Sequence, residues 1–235
     1  MSAPLRLGVL CMDDLPRRAQ PVLGDYPALY AHLLRDQPVE TVDFAAHRGD
    51  LPASVDDCDG WVLGGGRPSV YDELDWICDA EAFVRAAVAA ERPVVGICFG
   101  HQLVASALGG TVERADVGWG LGALEYNVTR PVPWFGGRRM TLIASHRDQV
   151  TELPDGAEVW ASAEYCPAAG MTIGERTWTL QGHPEFTAEI ALELYTAREG
   201  LLGQATVDDA MATLGRPLSN DAVAAAIRAF VAGDA

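Results

Sequence analysis

A chain of 235 residues that is 49% hydrophobic carries enough apolar material for one sizeable core. Its 17 basic residues against 33 acidic ones leave a net charge of −16, which repels phosphate backbones and anionic lipid surfaces and argues against a nucleic-acid or membrane-surface role. No apolar run approaches the roughly 18 to 20 residues that span a bilayer, and residues 7–12 run directly into Asp13-Asp14 without the pattern of an export signal.

Residues 5–12 read as a short strand, followed by a loop with Pro16 and Pro21 and a helix over 27–35. Residues 39–44 alternate like a strand. The run Gly60-Trp61-Val62-Leu63 stops at Gly64-Gly65-Gly66, as a buried strand does when it opens into a backbone-lined loop. An alanine-rich helix is expected over 74–90, a buried strand over 93–97, and a helix from 99 to 108 stopped by Gly109-Gly110. This alternation predicts a mostly parallel sheet with helices on both faces. From 111 to 180 the texture turns β-branched and aromatic, which predicts strands over 124–129, 140–144, 159–163 and 177–180, several of them antiparallel. Helical patterning returns over 188–198, 207–214 and 220–231. The stretch 131–137 is too short to separate two domains, so one main domain is expected.

Five cysteines, Cys11, Cys58, Cys78, Cys98 and Cys166, are scattered and form no Cys-x-x-Cys pair, which fits a reducing cytosol and a soluble, cytoplasmic protein. Cys98 differs from the rest in lying within Gly96-Ile97-Cys98-Phe99-Gly100. There a tight strand-to-helix turn exposes a nucleophile, flanking glycines avoid clashes, and the helix amino terminus favours the thiolate. Taken alone, Cys98 reads equally well as a small buried hydrophobe, and packing is the preferred reading of the other four. Gln102 lies one helical turn beyond Cys98 on the same face, where it holds a polar substrate or is a plain surface glutamine. His101 points elsewhere and reads as a packed or surface histidine.

The second string, Gln181-Gly182-His183-Pro184-Glu185, closes a strand-like run. On extended backbone His183 and Glu185 point the same way, and Pro184 biases His183 towards that geometry. Glu185 then orients the His183 imidazole as the third group behind a nucleophile; the alternative is a loop-edge histidine beside a solvated glutamate. A zinc site of Cys98, His101, His183 and Glu185 ranks low, because Cys98 and His101 are close in sequence and directed differently on one helix.

Together the two strings resemble the class I glutamine amidotransferase family, whose members carry Gly-x-Cys-x-Gly-x-Gln and, later, His-Pro-Glu. Gly64-Gly65-Gly66-Arg67-Pro68-Ser69-Val70 is similar to that family's glycine loop, and Ser145-His146-Arg147-Asp148-Gln149-Val150 to its Ser-His-x-Asp-x-Val substrate segment. The resemblance covers roughly residues 5 to 190. It implies a flavodoxin-like three-layer αβα fold, with residues 1–190 as the amidotransferase-like domain and 191–235 as a helical extension packed on it. It also implies that Cys98 attacks a γ-glutamyl carbonyl, His183 shuttles protons and Glu185 orients His183. The backbone N–H groups of Gly66 and Phe99 would form the oxyanion hole, and Gln102 with the backbone around Ser145, His146 and Arg147 would hold the glutamyl ends; no metal or organic cofactor is called for.

Two departures stand out. Arg67 sits where many members have proline, so it reshapes the loop or offers a cation to a substrate carboxylate. No ATP-binding or synthase domain follows the family region. The expected partner is therefore a small γ-glutamyl substrate, either glutamine, with ammonia passed to a separate synthase subunit, or a γ-glutamyl peptide or amide hydrolysed by a stand-alone enzyme. A non-catalytic binding module of the same fold is the third reading, and the intact triad argues against it. Specificity beyond the glutamyl group is expected from loops such as 131–137.

Overall fold

The computed structural model describes residues 4–234. Strand β1 (Leu5–Leu10) is followed by helices α1 (Gln20–Leu23) and α2 (Tyr26–Leu33), β2 (Val39–Phe44), a 3-10 turn at Ala46–Arg48, and β3 (Gly60–Leu63). Helix α3 (Asp75–Ala89), β4 (Val94–Ile97) and α4 (Phe99–Ala107) complete the alternating half. A strand-rich stretch follows: β5 (Thr111–Arg114), β6 (Gly120–Val128), β7 (Arg139–His146), β8 (Asp148–Glu152), β9 (Ala157–Ala163), β10 (Cys166–Ile173) and β11 (Thr177–Leu180). Helices α5 (Ala188–Ala197), α6 (Glu199–Leu202), α7 (Gln204–Met211) and α8 (Asn220–Ala232) close the chain.

Nine strands form one sheet in the order β2-β1-β3-β4-β11-β10-β9-β6-β7, and β5 pairs with β8 apart from it. The first five in that order run parallel, and the remaining four join antiparallel. Side chains alternate across the parallel half. Trp61, Leu63 and Val94 share a core with Ile77 and Phe83 of α3 and Leu103 of α4, whereas Val62, Val95 and Ile97 share another with Leu29 of α2 and Ile227 of α8. Two cores on opposite faces of one sheet make the expected three-layer αβα fold. Each fully buried large side chain such as Trp61 contributes roughly 1.5 to 3 kcal/mol through lost apolar surface.

The sheet order is what builds the site. Strand β11 inserts in parallel beside β4 with Leu180 level with Ile97, so Cys98 and Gln181 leave adjacent strand ends on the same edge. The loops after β1 and β3 leave that edge too, since Leu10 is level with Leu63. Ligand sites in open parallel sheets form at these carboxyl ends.

Several expectations need correction. Strands β5, β8 and β10 fall outside the predicted set; β10 contains Pro167, Ala168, Ala169 and Gly170, a poor β-former run, and is held as strand by pairing with β9 and β11 on its two sides. The helix expected over 207–214 lies at Gln204–Met211, preceded by the unforeseen α6. Residues 131–137 form no specificity loop: Val132 and Phe135 are buried and Trp134 stacks on Trp178, so the segment plugs the core. Helix α7 and the segment that follows it pack on the antiparallel half, where Thr213 Oγ1 accepts the Ala123 N–H and Ser219 N donates to Thr141 O, whereas α8 lies beside α2 over the parallel half.

Candidate active site

Strand β4 hands directly to helix α4 through Cys98, whose φ of 51° and ψ of −102° are a strained backbone for a side-chain-bearing residue. Such strain costs of order 1 to 3 kcal/mol and persists where the surroundings over-determine it. Here they do: Cys98 N donates to Leu180 O at 2.9 Å and Gly100 N to Gly64 O at 3.0 Å. A Cβ on Gly100 would lie 2.1 Å from Leu63 O, so only glycine lets the first turn of α4 press against β3. The strand-to-helix elbow expected from the Gly-x-Cys-x-Gly spacing is therefore present.

His183 and Glu185 are 2% exposed each, and His183 Nδ1 lies 2.7 Å from Glu185 Oε1. The solvated-glutamate alternative is excluded by that burial. With Nδ1 engaged by Glu185, the other ring nitrogen of His183 is left for Cys98, which shares its cavity. Burial by itself depresses an imidazolium, but the Cys98 thiolate and the Glu185 carboxylate outweigh it and hold the His183 pKa up at about 10. Phe186 stacks on the imidazole with ring centroids 4.1 Å apart and planes 7° apart. A Cβ on Gly65 would come within 2.7 Å of His183 Cε1, so the glycine loop and Phe186 both confine the ring.

Gln181 is a functional candidate that sequence reasoning missed. Its buried side-chain amide reaches Cys98 Sγ at 3.6 Å and accepts from Gln102 Nε2 at 3.3 Å. The signal was available: Gln181 and His183 are two apart on extended backbone and so share a side. Gln102 also donates to Asp148 O at 2.8 Å, so it is buried beside the thiol rather than on the helix surface. Asp148 is the anchor of that wall, accepting from Ser69 Oγ at 2.5 Å and Tyr71 OH at 3.0 Å.

Cys98 and His183 open into a cavity of about 490 Å³ that also reaches Gly66, Gln102, Ser145, His146 and Arg147. Phe99 opens α4, so its N–H has no acceptor within the helix, and the Gly66 N–H has none among the described residues. Arg67 is paired bidentately with Asp13, at 2.5 and 2.7 Å, while its own N–H meets the same carboxylate. That geometry fits the loop-shaping reading of Arg67 and leaves its charge neutralised. Arg198, which no sequence signal indicated, lines the cavity and donates from NH1 to Ser145 Oγ at 3.2 Å.

His101 is fully buried with Nδ1 2.7 Å from Thr179 Oγ1, in agreement with the packed reading. Burial lowers its pKa to about 3 and that of His146 to about 4. Both stay neutral when folded, whereas the unfolded residues take up protons near 6.5. Their contribution is thus complete above that value and declines as pH falls towards the folded pKa values. Thermal melting should shift downward on acidification from about pH 7 to about pH 5. His101→Asn should flatten that dependence; an unchanged slope would remove His101 as its source.

Burial pushes the thiols of Cys11 and Cys166 up to about 12, as inert packed cysteines require. Cys78 contradicts its expected packing role, because it lies on the exposed face of α3. Among the described residues no group of three or more His, Cys, Asp or Glu side chains is arranged to hold a metal, and no helix is long and apolar enough to cross a membrane.

Residues 30–197 match the family model described as glutamine amidotransferase class-I. The chain is 29% identical over 178 residues to gamma-glutamyl peptidase 2 of Arabidopsis thaliana, covering 73% of this chain and 72% of that one. It is 32% identical over 176 residues to one subunit of the glutamine-hydrolysing GMP synthase of Archaeoglobus fulgidus, covering 73% of this chain and 90% of that polypeptide. A Saccharomyces cerevisiae relative, 35% identical, is matched over 56% of this chain, which spans about half (54%) of that protein's length. The crystal structure of a glutamine amidotransferase from Thermotoga maritima superposes with a TM-score of 0.81 over 98% of this chain and 99% of that one, and at 19% identity it speaks to the fold alone.

Proposed function

The chain belongs to the glutamine amidotransferase class-I family, and from that premise we propose that it hydrolyses γ-glutamyl amide bonds through a thioester on Cys98. The observation that carries the reading is the buried set Cys98, His183 and Glu185 at the carboxyl ends of β4 and β11, in which Cys98 and His183 open into one cavity and Glu185 stands behind the His183 ring. In this reading residues 1–190 are the amidotransferase domain and 191–235 a helical extension of it.

The Cys98 thiolate attacks the γ-carbonyl carbon, and the carbonyl electrons move to oxygen. The N–H groups of Gly66 and Phe99 receive that oxyanion; one such donor is typically worth about 10² to 10³ in rate. As the oxyanion collapses the C–N bond breaks, and the nitrogen leaves with the proton of the His183 imidazolium. Neutral His183 then takes a proton from water, the hydroxide adds to the thioester, and glutamate departs as the thiolate and imidazolium are restored. Glu185 keeps the ring in one tautomer throughout. Gln102, with Ser145, His146 and Arg147, holds the glutamyl group, the buried His146 through its backbone. No step moves an electron to or from a cofactor.

The nitrogen goes either to a separate synthase subunit, as the likeness to the Archaeoglobus protein suggests, or to solvent, as in a stand-alone γ-glutamyl hydrolase like the Arabidopsis peptidase. Five free cysteines suit a reducing compartment, so a cytoplasmic location goes with either reading. Neither involves nucleic acid or a membrane.

Acid quenching during turnover of glutamine or a γ-glutamyl peptide should leave a glutamyl adduct on the Cys98 peptide by mass spectrometry. Glutamate release with no adduct there, or no release from any γ-glutamyl compound, would count against the mechanism.

A further inference from the structure

The cavity has two unlike walls. On one side Gln102, Ser69 and Arg114 gather around Asp148, which Arg114 approaches at 3.9 Å. The lining contributed by the Pro16 loop, α2 and the segment from Phe186 through the α5–α6 corner is Pro16, Tyr26, Phe186, Ala197, Arg198 and Leu201, with Phe186 against His183. Parts of this second wall are tied together: Phe186 stacks on His183, Tyr26 lies near Phe186 at 6.3 Å between rings, and Arg18 pairs with Glu193 at 2.7 Å to join the Pro16 loop to α5, whose end carries Arg198. Apart from the Tyr26 hydroxyl and one cation its side chains are apolar, and Leu201 is 71% exposed.

Charge makes that cation conspicuous. All 17 cationic side chains are arginines in a chain of net charge −16, and four of them line this cavity. Arg67 is neutralised by Asp13, Arg114 faces Asp148, and Arg147 belongs to the segment that holds the glutamyl group. Arg198 has no carboxylate partner among the described residues; the polar contact of its side chain there is the Ser145 hydroxyl at 3.2 Å. It lies one residue beyond the family match, on the corner between α5 and α6.

The side of the cavity decides what Arg198 meets. Because His183 protonates the departing nitrogen, the leaving group must lie against the His183 wall. Ammonia has nothing to offer an apolar surface or a guanidinium. An amino acid or peptide offers both an apolar side chain and a carboxylate, and a guanidinium matches a carboxylate bidentately. We infer that the Arg198 wall is a leaving-group subsite for amines bearing a free carboxylate, so that the substrate is a γ-glutamyl amino acid or peptide rather than glutamine. This rests on the γ-glutamyl reading above. The bond chemistry is unchanged: the amine leaves with the His183 proton, and Arg198 binds without exchanging one.

The test compares γ-glutamyl-leucine with γ-glutamyl-leucinamide, whose leaving groups differ in the carboxylate, and includes glutamine. Wild-type protein should favour the carboxylate form by about 10- to 100-fold in kcat/KM, the range of a charge-assisted pair, and should turn over glutamine more slowly. In Arg198→Gln that ratio should fall towards one, and Arg198→Lys should restore part of it. A wild-type ratio near one would overturn the inference without any variant. So would a ratio that survives in Arg198→Gln with both substrates equally depressed, because Arg198 would then serve the glutamyl end. Failure of all three compounds to release glutamate would instead overturn the γ-glutamyl reading on which the inference stands.

Discussion

Cys98→Ala is expected to lower glutamate release by about 10⁴-fold or more, because a triad that has lost its nucleophile retains only what binding and oxyanion donors supply. The alanine keeps the Cβ, so the strained φ of 51° at the elbow and the Cys98 N–H bond to Leu180 O are both preserved. What is lost structurally is one buried sulfur, and deletion of a single buried group typically costs about 1 kcal/mol. Melting should therefore move by only a few degrees while turnover disappears. The variant should still bind γ-glutamyl substrate measurably by calorimetry, because the cavity walls do not depend on the sulfur. Residual turnover within tenfold of wild type, in protein whose melting is intact, would end the thioester mechanism for this chain.

Glu185→Gln should lower kcat by about 10² to 10⁴, since an amide in the place of an orienting carboxylate costs up to about 10⁴ in the serine-protease triad. The 2.7 Å contact to His183 Nδ1 can survive as a hydrogen bond to the amide oxygen, but the charge is gone. Burial then acts on the imidazolium with one less opposing charge, so its pKa falls from about 10. The sign follows: the imidazolium that protonates the leaving nitrogen is lost at lower pH, and the alkaline limb of kcat against pH moves towards neutrality. Because the folded His183 pKa is raised, its stabilisation is complete below the unfolded value of 6.5 and is lost as pH rises through about 10. The variant gives up that contribution across neutral pH. In return, Glu185 Oε2 is buried without a partner among the described residues, so removing the carboxylate also removes an uncompensated desolvation cost. An unchanged pH profile in Glu185→Gln would show that the carboxylate does not tune His183.

Much of this architecture was legible in one dimension because it depends on local rules. The alternating half of the fold follows from short apolar runs that end at glycine and from an alanine-rich helix. The elbow at Cys98 needs glycine at 96 and 100 because neighbouring backbone comes too close for a Cβ, a constraint written into the spacing itself. The His183 to Glu185 contact needs only the two-residue period of extended chain. Strand β10 was hidden for the opposite reason: Pro167, Ala168, Ala169 and Gly170 carry no β signal, and two flanking strands impose the conformation. The 131–137 segment looked like a surface loop because its aromatic residues carry no period. Only the packed structure shows Trp134 lying on Trp178.

Residue type and spacing thus point to the proposed reacting atoms, because a strand-to-helix elbow at Cys98 and the His183–Glu185 pair are each assembled within a few consecutive residues. The partners those atoms meet are set at long range. Strand β11 lies beside β4 only after a long antiparallel excursion, and that pairing brings Gln181 and His183 to Cys98. Helix α5 carries Arg198 back over Ser145 from 53 residues away, and no local periodicity encodes that distance. Such contacts depend on how whole elements pack, through apolar faces that many sequences would satisfy equally. The shape and charge of the leaving-group wall therefore emerge only from the packed sheet and its helices.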